Sequence, residues 1–264
     1  MRIITLLTDF GLEDGYVAAM KGVIAGIAPD ADVVDVTHLI PPQDVASGRF
    51  RLLTVTPYFP PGTVHLAVVD PGVGTRRRAV AVRSSSGSLL VGPDNGLLLG
   101  ALEADPAVAA VELSEPRFWR TPAPSATFHG RDVFAPVAAH LARGVALELL
   151  GPAVALDSLV SVELPPWRPV PGGAEGAVQA VDRFGNLISN VPGTVLSAVG
   201  AWTASIAGRT VTGRGTYGDV PPGEALALVG SHGFVEIAVR QGSARNALEA
   251  SIGMAVAIRC ERSS

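Results

Sequence analysis

One cysteine in 264 residues, Cys260, excludes an internal disulfide. With no CxxC pair and no Cys/His cluster, the usual ligands of a structural zinc site are missing as well. Such usage fits a reducing, cytoplasmic setting. Long apolar runs are absent: nothing nears the roughly 20 residues that a membrane-spanning helix requires. The N-terminal run Ile3-Ile4-Thr5-Leu6-Leu7-Thr8 is too short for the apolar core of a secretion signal and meets an acidic turn at once. Positive charge is scattered. Twenty Lys and Arg against 24 Asp and Glu leave a formal charge of −4, and the one basic run, Arg76-Arg77-Arg78, is too short for a nucleic-acid footprint.

What is present is the material for a core. Hydrophobic residues make up 48% and charged residues 17%, a folding composition in a chain long enough for two domains. The first part alternates short apolar runs with longer mixed segments, the pattern of parallel strands joined by crossover helices. Strands are expected at 3–8, 33–36 and 64–69, the last delivering Asp70 at its C-terminal end. Helices are expected over 14–28, where Val17, Met20, Lys21, Ile24 and Ile27 form one stripe, and over 43–58 between proline pairs. The proline- and glycine-rich stretch 164–174 excludes a helix or a central strand and reads as a linker. Short runs at 176–181, 201–207, 225–229 and 234–239, parted by Gly-rich turns, predict a small β domain. The expected architecture is an N-terminal α/β domain (1–163) with a mostly parallel sheet, then a smaller C-terminal β-barrel or sandwich (175–264).

Several segments could carry chemistry. Thr8-Asp9-Phe10-Gly11-Leu12-Glu13-Asp14-Gly15 sets Asp9 and Asp14 past a strand end, able to take ribose hydroxyls or an ammonium group; its plainer reading is a strand-to-helix turn capped by Asp14. In Val69-Asp70-Pro71-Gly72-Val73-Gly74-Thr75-Arg76-Arg77-Arg78 a carboxylate is followed by a glycine turn and cations; the spacing is not that of a phosphate loop, and the alternative is a tight turn with solvated arginines. Thr127-Phe128-His129-Gly130-Arg131-Asp132 offers an imidazole, which matters only beside partners, while Asp132 could simply start a helix. A carboxylate, a guanidinium and an imidazole that converge can hold a water and ease removal of its proton. Further on, Phe184 and Asn186 in Val181-Asp182-Arg183-Phe184-Gly185-Asn186 offer a stacking face and an amide edge, or an ordinary hairpin. Ser231 and Glu236 in Gly230-Ser231-His232-Gly233-Phe234-Val235-Glu236 can meet a carboxylate and an ammonium, or form a turn into a strand.

Taken in order, TDFGLEDGYVAAMKG, VVDPGVGTRRR, GPDNGLL, TFHGRDVFAP, VDRFGNLISN and GSHGFVEIA resemble the S-adenosylmethionine hydroxide adenosyltransferases, relatives of the fluorinase and chlorinase, over nearly the whole chain. The resemblance implies hydrolysis of S-adenosylmethionine to adenosine and methionine without a metal or cofactor. It also implies homotrimers whose sites lie between neighbouring subunits. By motif match Asp70, Arg77 and His129 handle the attacking water, a set that the halogenases lack. Asp9 grips the ribose, Phe184 stacks, and Asn186 and the backbone near Val239 read the adenine. Asp14, Ser231 and Glu236 meet the methionine end. Two features depart from the halogenase pattern or leave its register open: Gln43 stands where halogenases carry tryptophan, and 240–246 aligns in more than one register. The rival expectations are a halogenase, a non-catalytic sensor of S-adenosylmethionine or adenosine, and a Rossmann-like domain for another nucleotide.

Overall fold

The computed structural model describes residues 3–162, 165–196 and 200–260. The chain divides into two compact units, Met1–Val162 and Glu163–Ser264.

Unit 1 is built on six strands: β1 (Ile3–Thr8), β2 (Asp32–Thr37), β3 (Val64–Val68), β4 (Ala79–Ser84), β5 (Leu89–Pro93) and β6 (Ala107–Glu112), in the order β2-β1-β3-β5-β4-β6. The first four in that order run parallel, and β4 pairs antiparallel with both β5 and β6, so β4 alone is reversed. Helices α1 (Tyr16–Ile27), α2 (Val45–Val55), α3 (Leu99–Leu102) and α4 (Ala135–Ala142) complete the unit.

Because successive strand residues face opposite sides, the sheet feeds two cores. Ile4, Leu6, Leu66 and Val68 pack with Met20, Ile24, Val137 and Leu141 of α1 and α4. Leu7, Ala67, Val69 and Val80 pack on the other side with Leu52 of α2 and Ala101 and Leu102 of α3. Boundaries shift modestly from expectation. Helix α1 begins at Tyr16, and its N-cap is Gly15 with no side-chain bond, so Asp14 does not cap it. Lys21 leaves the apolar stripe to pair with Asp35 at 2.6 Å. Helix α2 starts after Asp44, whose carboxylate accepts the Ser47 N–H at 2.9 Å, and gives way to a 3₁₀ turn over Thr56–Tyr58. Strands β4, β5 and β6 had no counterpart among the predicted elements.

Unit 2 contains β7 (Arg168–Val170), β8 (Gly173–Val181), β9 (Leu187–Pro192), β10 (Trp202–Ile206), β11 (Arg209–Thr212), β12 (Ala225–Val229), β13 (Phe234–Val239) and β14 (Ala255–Cys260). Their order is β11-β10-β14-β8-β9-β13-β12, with β7 added on β8. A bridge between Gly213 and Ala227 and the bond from Arg214 N–H to the Ala227 carbonyl draw the outer strands together, so the antiparallel sheet is a nearly closed barrel. Val178, Leu187, Ile206, Val235, Ile237 and Ile258 fill it. The expected linker 164–174 is corrected in part: Arg168–Val170 is a strand hairpinned onto Gly173–Glu175. Pro169 fits there because β7 is an edge strand. Leu164 lies outside the described residues.

Candidate active site

Strand β1 has β2 on one side and β3 on the other, so the crevice beyond the C-terminal ends of β1 and β3 is the switch point of the sheet, where open α/β folds bind ligands. Thr8 of β1 is level with Val68 of β3, and the next residues outward are Asp9 and Val69-Asp70. A cleft of about 380 Å³ opens there, its wall including Asp9, Asp70, His129, Gln43 and Thr127. Phe10, Tyr16 and Phe128 form an aromatic trio on the same wall, with ring centroids 5.1–5.8 Å apart.

The reversal of β4 places Arg77 against this edge. Its Nε–H donates to both Asp70 oxygens at 2.9 and 3.1 Å, and a terminal nitrogen pairs with Asp70 Oδ2. That nitrogen also donates to His129 Nδ1 at 2.9 Å. The ion pair is nearly dry, with side-chain exposures of 11% and 6%, so removing either partner would strand a buried charge at a cost of about 3–5 kcal/mol. Arg77 also lies over the fully buried Phe134 ring, 5.2 Å from its centroid. His129 immediately precedes a π-helical turn, Gly130–Phe134, that continues into α4. Burial, and after it the Arg77 cation, hold the His129 imidazole below its usual titration range. Asp132, expected as a possible helix start, lies in the first turn of this helix; it is 1% exposed and tied to Arg120, Arg131 and the Ser125 N–H, which brace this turn.

Asp9 faces the cleft with Oδ2 accepting the Gln43 N–H at 2.7 Å. Gln43 supplies that N–H from a left-handed backbone (φ 67°), unusual for a non-glycine residue. Behind Asp9, buried His38 meets the Thr8 hydroxyl through Nδ1 at 2.9 Å, and its carbonyl takes the Gly11 N–H. Asp14 stands exposed on the turn before α1, two residues from Tyr16 of the cleft wall. Sequence reasoning missed His38 and the trio of Phe10, Tyr16 and Phe128. The aromatic residues sit inside the motifs already singled out, so that signal was available; His38, which meets the Thr8 hydroxyl and, through Nε2, the Asp35 carboxylate at 3.1 Å, had none.

In unit 2 the turn 182–186 is organised by Asp182, whose carboxylate accepts the N–H groups of Phe184 and Asn186 and the Asn186 side-chain amide, each at 2.9 Å. Phe184 is left 76% exposed, while Asn186 is buried. Glu236 is buried on β13, accepting the Tyr217 hydroxyl at 2.6 Å and facing His232 Nε2 at 3.1 Å. Burial, together with that bond to Glu236, raises the Tyr217 phenol above its usual range. Ser231 is exposed on the adjoining turn, and the Val239 carbonyl accepts the Gly242 N–H at 3.1 Å. Asp182 and Tyr217 are further residues that sequence reasoning did not assign. Among the described residues no cluster of three His, Cys, Asp or Glu side chains is placed to hold a metal ion.

Together, fold and cleft define a two-domain α/β and β-barrel protein with a carboxylate–guanidinium–imidazole set at the switch point of its sheet. The chain belongs to the SAM hydroxide adenosyltransferase family, whose N-terminal domain model matches residues 4–151 and whose C-terminal domain model matches 176–257. It is 49% identical over 251 residues to the (R)-S-adenosyl-L-methionine hydrolase of Salinispora arenicola, covering 95% of each chain. A fluorinase of an Actinoplanes species is more distant, 33% identical over 223 residues, with 75% of this chain and 74% of that protein covered. The crystal structure of an uncharacterized conserved protein from Thermotoga maritima superposes with a TM-score of 0.90 at 35% identity, covering 98% of this chain and 100% of that one.

Proposed function

We propose that the protein hydrolyses S-adenosyl-L-methionine to adenosine and L-methionine, water attacking the ribose C5′ opposite the sulfonium. The observation that carries this reading is the contact of one guanidinium with both Asp70 and His129 at the cleft. In the step, a C5′–O bond forms, the C5′–S bond breaks with its electron pair going to sulfur, and one water proton is released. Methionine departs as a neutral thioether, so the leaving group needs neither a protonating acid nor a metal, and no cofactor enters the proposal. Alignment of the reacting pair supplies the largest share, about 7–11 kcal/mol.

The roles follow from the donors. A guanidinium only donates, so His129 Nδ1 accepts and the ring proton sits on Nε2. His129 therefore offers the water an N–H rather than a lone pair, and Asp70 is the proton acceptor. An ion-paired carboxylate is a weak base, yet it suffices, because attack turns the water into a strongly acidic oxonium. Asp9 takes the ribose hydroxyls. Phe184, exposed and flat, stacks on the adenine, and Asn186 and the backbone near Val239 read its edge. Asp14, Ser231 and Glu236 meet the methionine end. Homotrimers with sites shared between subunits, in the cytoplasm, complete the proposal. Among the described residues no helix is long and apolar enough to cross a membrane.

The test is incubation with S-adenosylmethionine in ¹⁸O-water, with and without chloride. Adenosine carrying ¹⁸O at its 5′ oxygen, with methionine in equal amount and no chloride dependence, is expected. A 5′-chloro product would move the reading to the halogenases, and unchanged bound substrate to a sensor. The curated relative's name specifies the (R) epimer at sulfur, and faster loss of that epimer from a mixture is expected here.

A further inference from the structure

At the opposite end of β3 from Asp70 lies a second cleft, of about 360 Å³, for which the reaction has no use. His65 is one residue into β3, five residues before Asp70, or roughly 16 Å along a strand. Its ring is 2% exposed and lines the cleft. Nδ1 is engaged with the Thr5 hydroxyl at 2.8 Å, and among the described residues Nε2 has no hydrogen-bond partner. An imidazole nitrogen left open on a cavity is a recognition element in waiting. Burial keeps this ring neutral, pushing it down to about 4.

The rest of the wall narrows the ligand. Ser84 and Ser88, 2% and 8% exposed, form with Ser86 a ledge of linked hydroxyls, Ser84 to Ser86 at 3.3 Å and Ser86 to Ser88 at 3.1 Å. Hydroxyls donate or accept as required, so the ledge suits an edge that mixes both. Pro57, Pro61 and Phe59 add apolar surface to the lining, and the Phe59 and His65 rings meet edge to face at 5.8 Å. Among the described residues no Lys or Arg lines the cleft, which disfavours phosphates and carboxylates. The one carboxylate, Asp105, already accepts from the Ser85 and Ser86 hydroxyls and the Ser86 N–H, leaving little for a cation.

We propose that this cleft is a second small-molecule site, which takes an uncharged nitrogen heterocycle of nucleobase size, its ring between the prolines and Phe59 and its edge on His65 and the serine ledge. The site is separate from the catalytic cleft and does not depend on the reaction assigned to it.

The five histidines make the test internal. Titration of the full chain with adenine is followed through the imidazole proton signals, His65 identified by its loss in His65→Gln and His129 reporting the catalytic cleft in the same spectra. Expected is a saturable shift of His65 with a Kd of about 10 µM to 1 mM, insensitive to equal concentrations of inorganic phosphate. Ala104→Trp, at an exposed position on the rim, fills the cleft and should weaken that shift at least about tenfold while leaving the His129 signal of the free protein in place. A His65 signal that stays still up to about 10 mM adenine overturns the proposal. So does a shift that survives Ala104→Trp, or movement of His129 alone.

Discussion

A guanidinium has hydrogens to give and no lone pair to accept with, and that asymmetry decides how the catalytic groups divide their work. Asp70→Asn keeps the shape of the side chain but removes the charge that Arg77 is bonded to; turnover should fall at least about a hundredfold with adenosine binding retained, measured by product formation and calorimetry. Normal turnover in that variant would remove Asp70 from the mechanism. Histidines leave a second mark, in stability. His65, His129 and His140 are all held below the usual imidazole value, chiefly by burial. The unfolded chain then binds protons that the folded one refuses, so stability falls as pH drops below about 6.5, and the His65 share is fully lost below its folded value of about 4. For His65 that share is roughly 3 kcal/mol. His65→Gln should flatten the slope of Tm against pH between 6.5 and 4 while changing little about that slope above pH 7; an unchanged slope would show that His65 is not the group titrating. The three side chains that meet at the cleft were legible because Asp70, Arg77 and His129 each sit inside a short motif. His38 and Asp182 were not, because their work is to hold backbone by contacts that only folding creates.

The elements that carry these residues tolerate little change. Gly92 of β5 lies so close to β3 that an added Cβ would sit 2.4 Å from the Ala67 carbonyl oxygen. Gly92→Val should cost about 3 kcal/mol, read as a lower midpoint in urea, because two paired strands would have to part. At the π-helical turn, Phe134 supports Arg77 from below. Phe134→Leu keeps an apolar filler but loses the flat ring, so kcat should fall about tenfold to a hundredfold with KM little changed, as expected when a reacting group is displaced without loss of binding. A rise in KM beside the fall in kcat would point instead to a disordered cleft. Helix and strand positions in the first seventy residues were readable from periodicity. Strands β4, β5 and β6 were not, since Ala79–Ser84 and Ala107–Glu112 are short and rich in alanine. The hairpin of β7 was obscured by Pro169, which excludes a central strand but permits an edge.

On the scale of the whole molecule, the groups assigned to water and ribose belong to unit 1 and those assigned to adenine and methionine largely to unit 2. If sites are shared between subunits of a trimer, Asp70→Asn and Asn186→Ala chains are each inactive alone, and unfolding and refolding them together should restore about a quarter of the wild-type rate per site. No recovery would mean that both halves of a site come from one chain. Two domains were legible from the shift to Pro/Gly-rich sequence near residue 164, whereas assembly leaves no periodic trace in a single chain. The reversed strand β4 has a consequence for how such a chain reaches its native state. Asp70 and Arg77 are seven residues apart because the chain turns back into the sheet without a helical crossover. Their contact closes a short loop, among the fastest non-helical contacts a chain can make, while His129 joins across 52 residues. Loop-closure entropy therefore favours the carboxylate meeting its counter-charge before the imidazole that completes the set can join them.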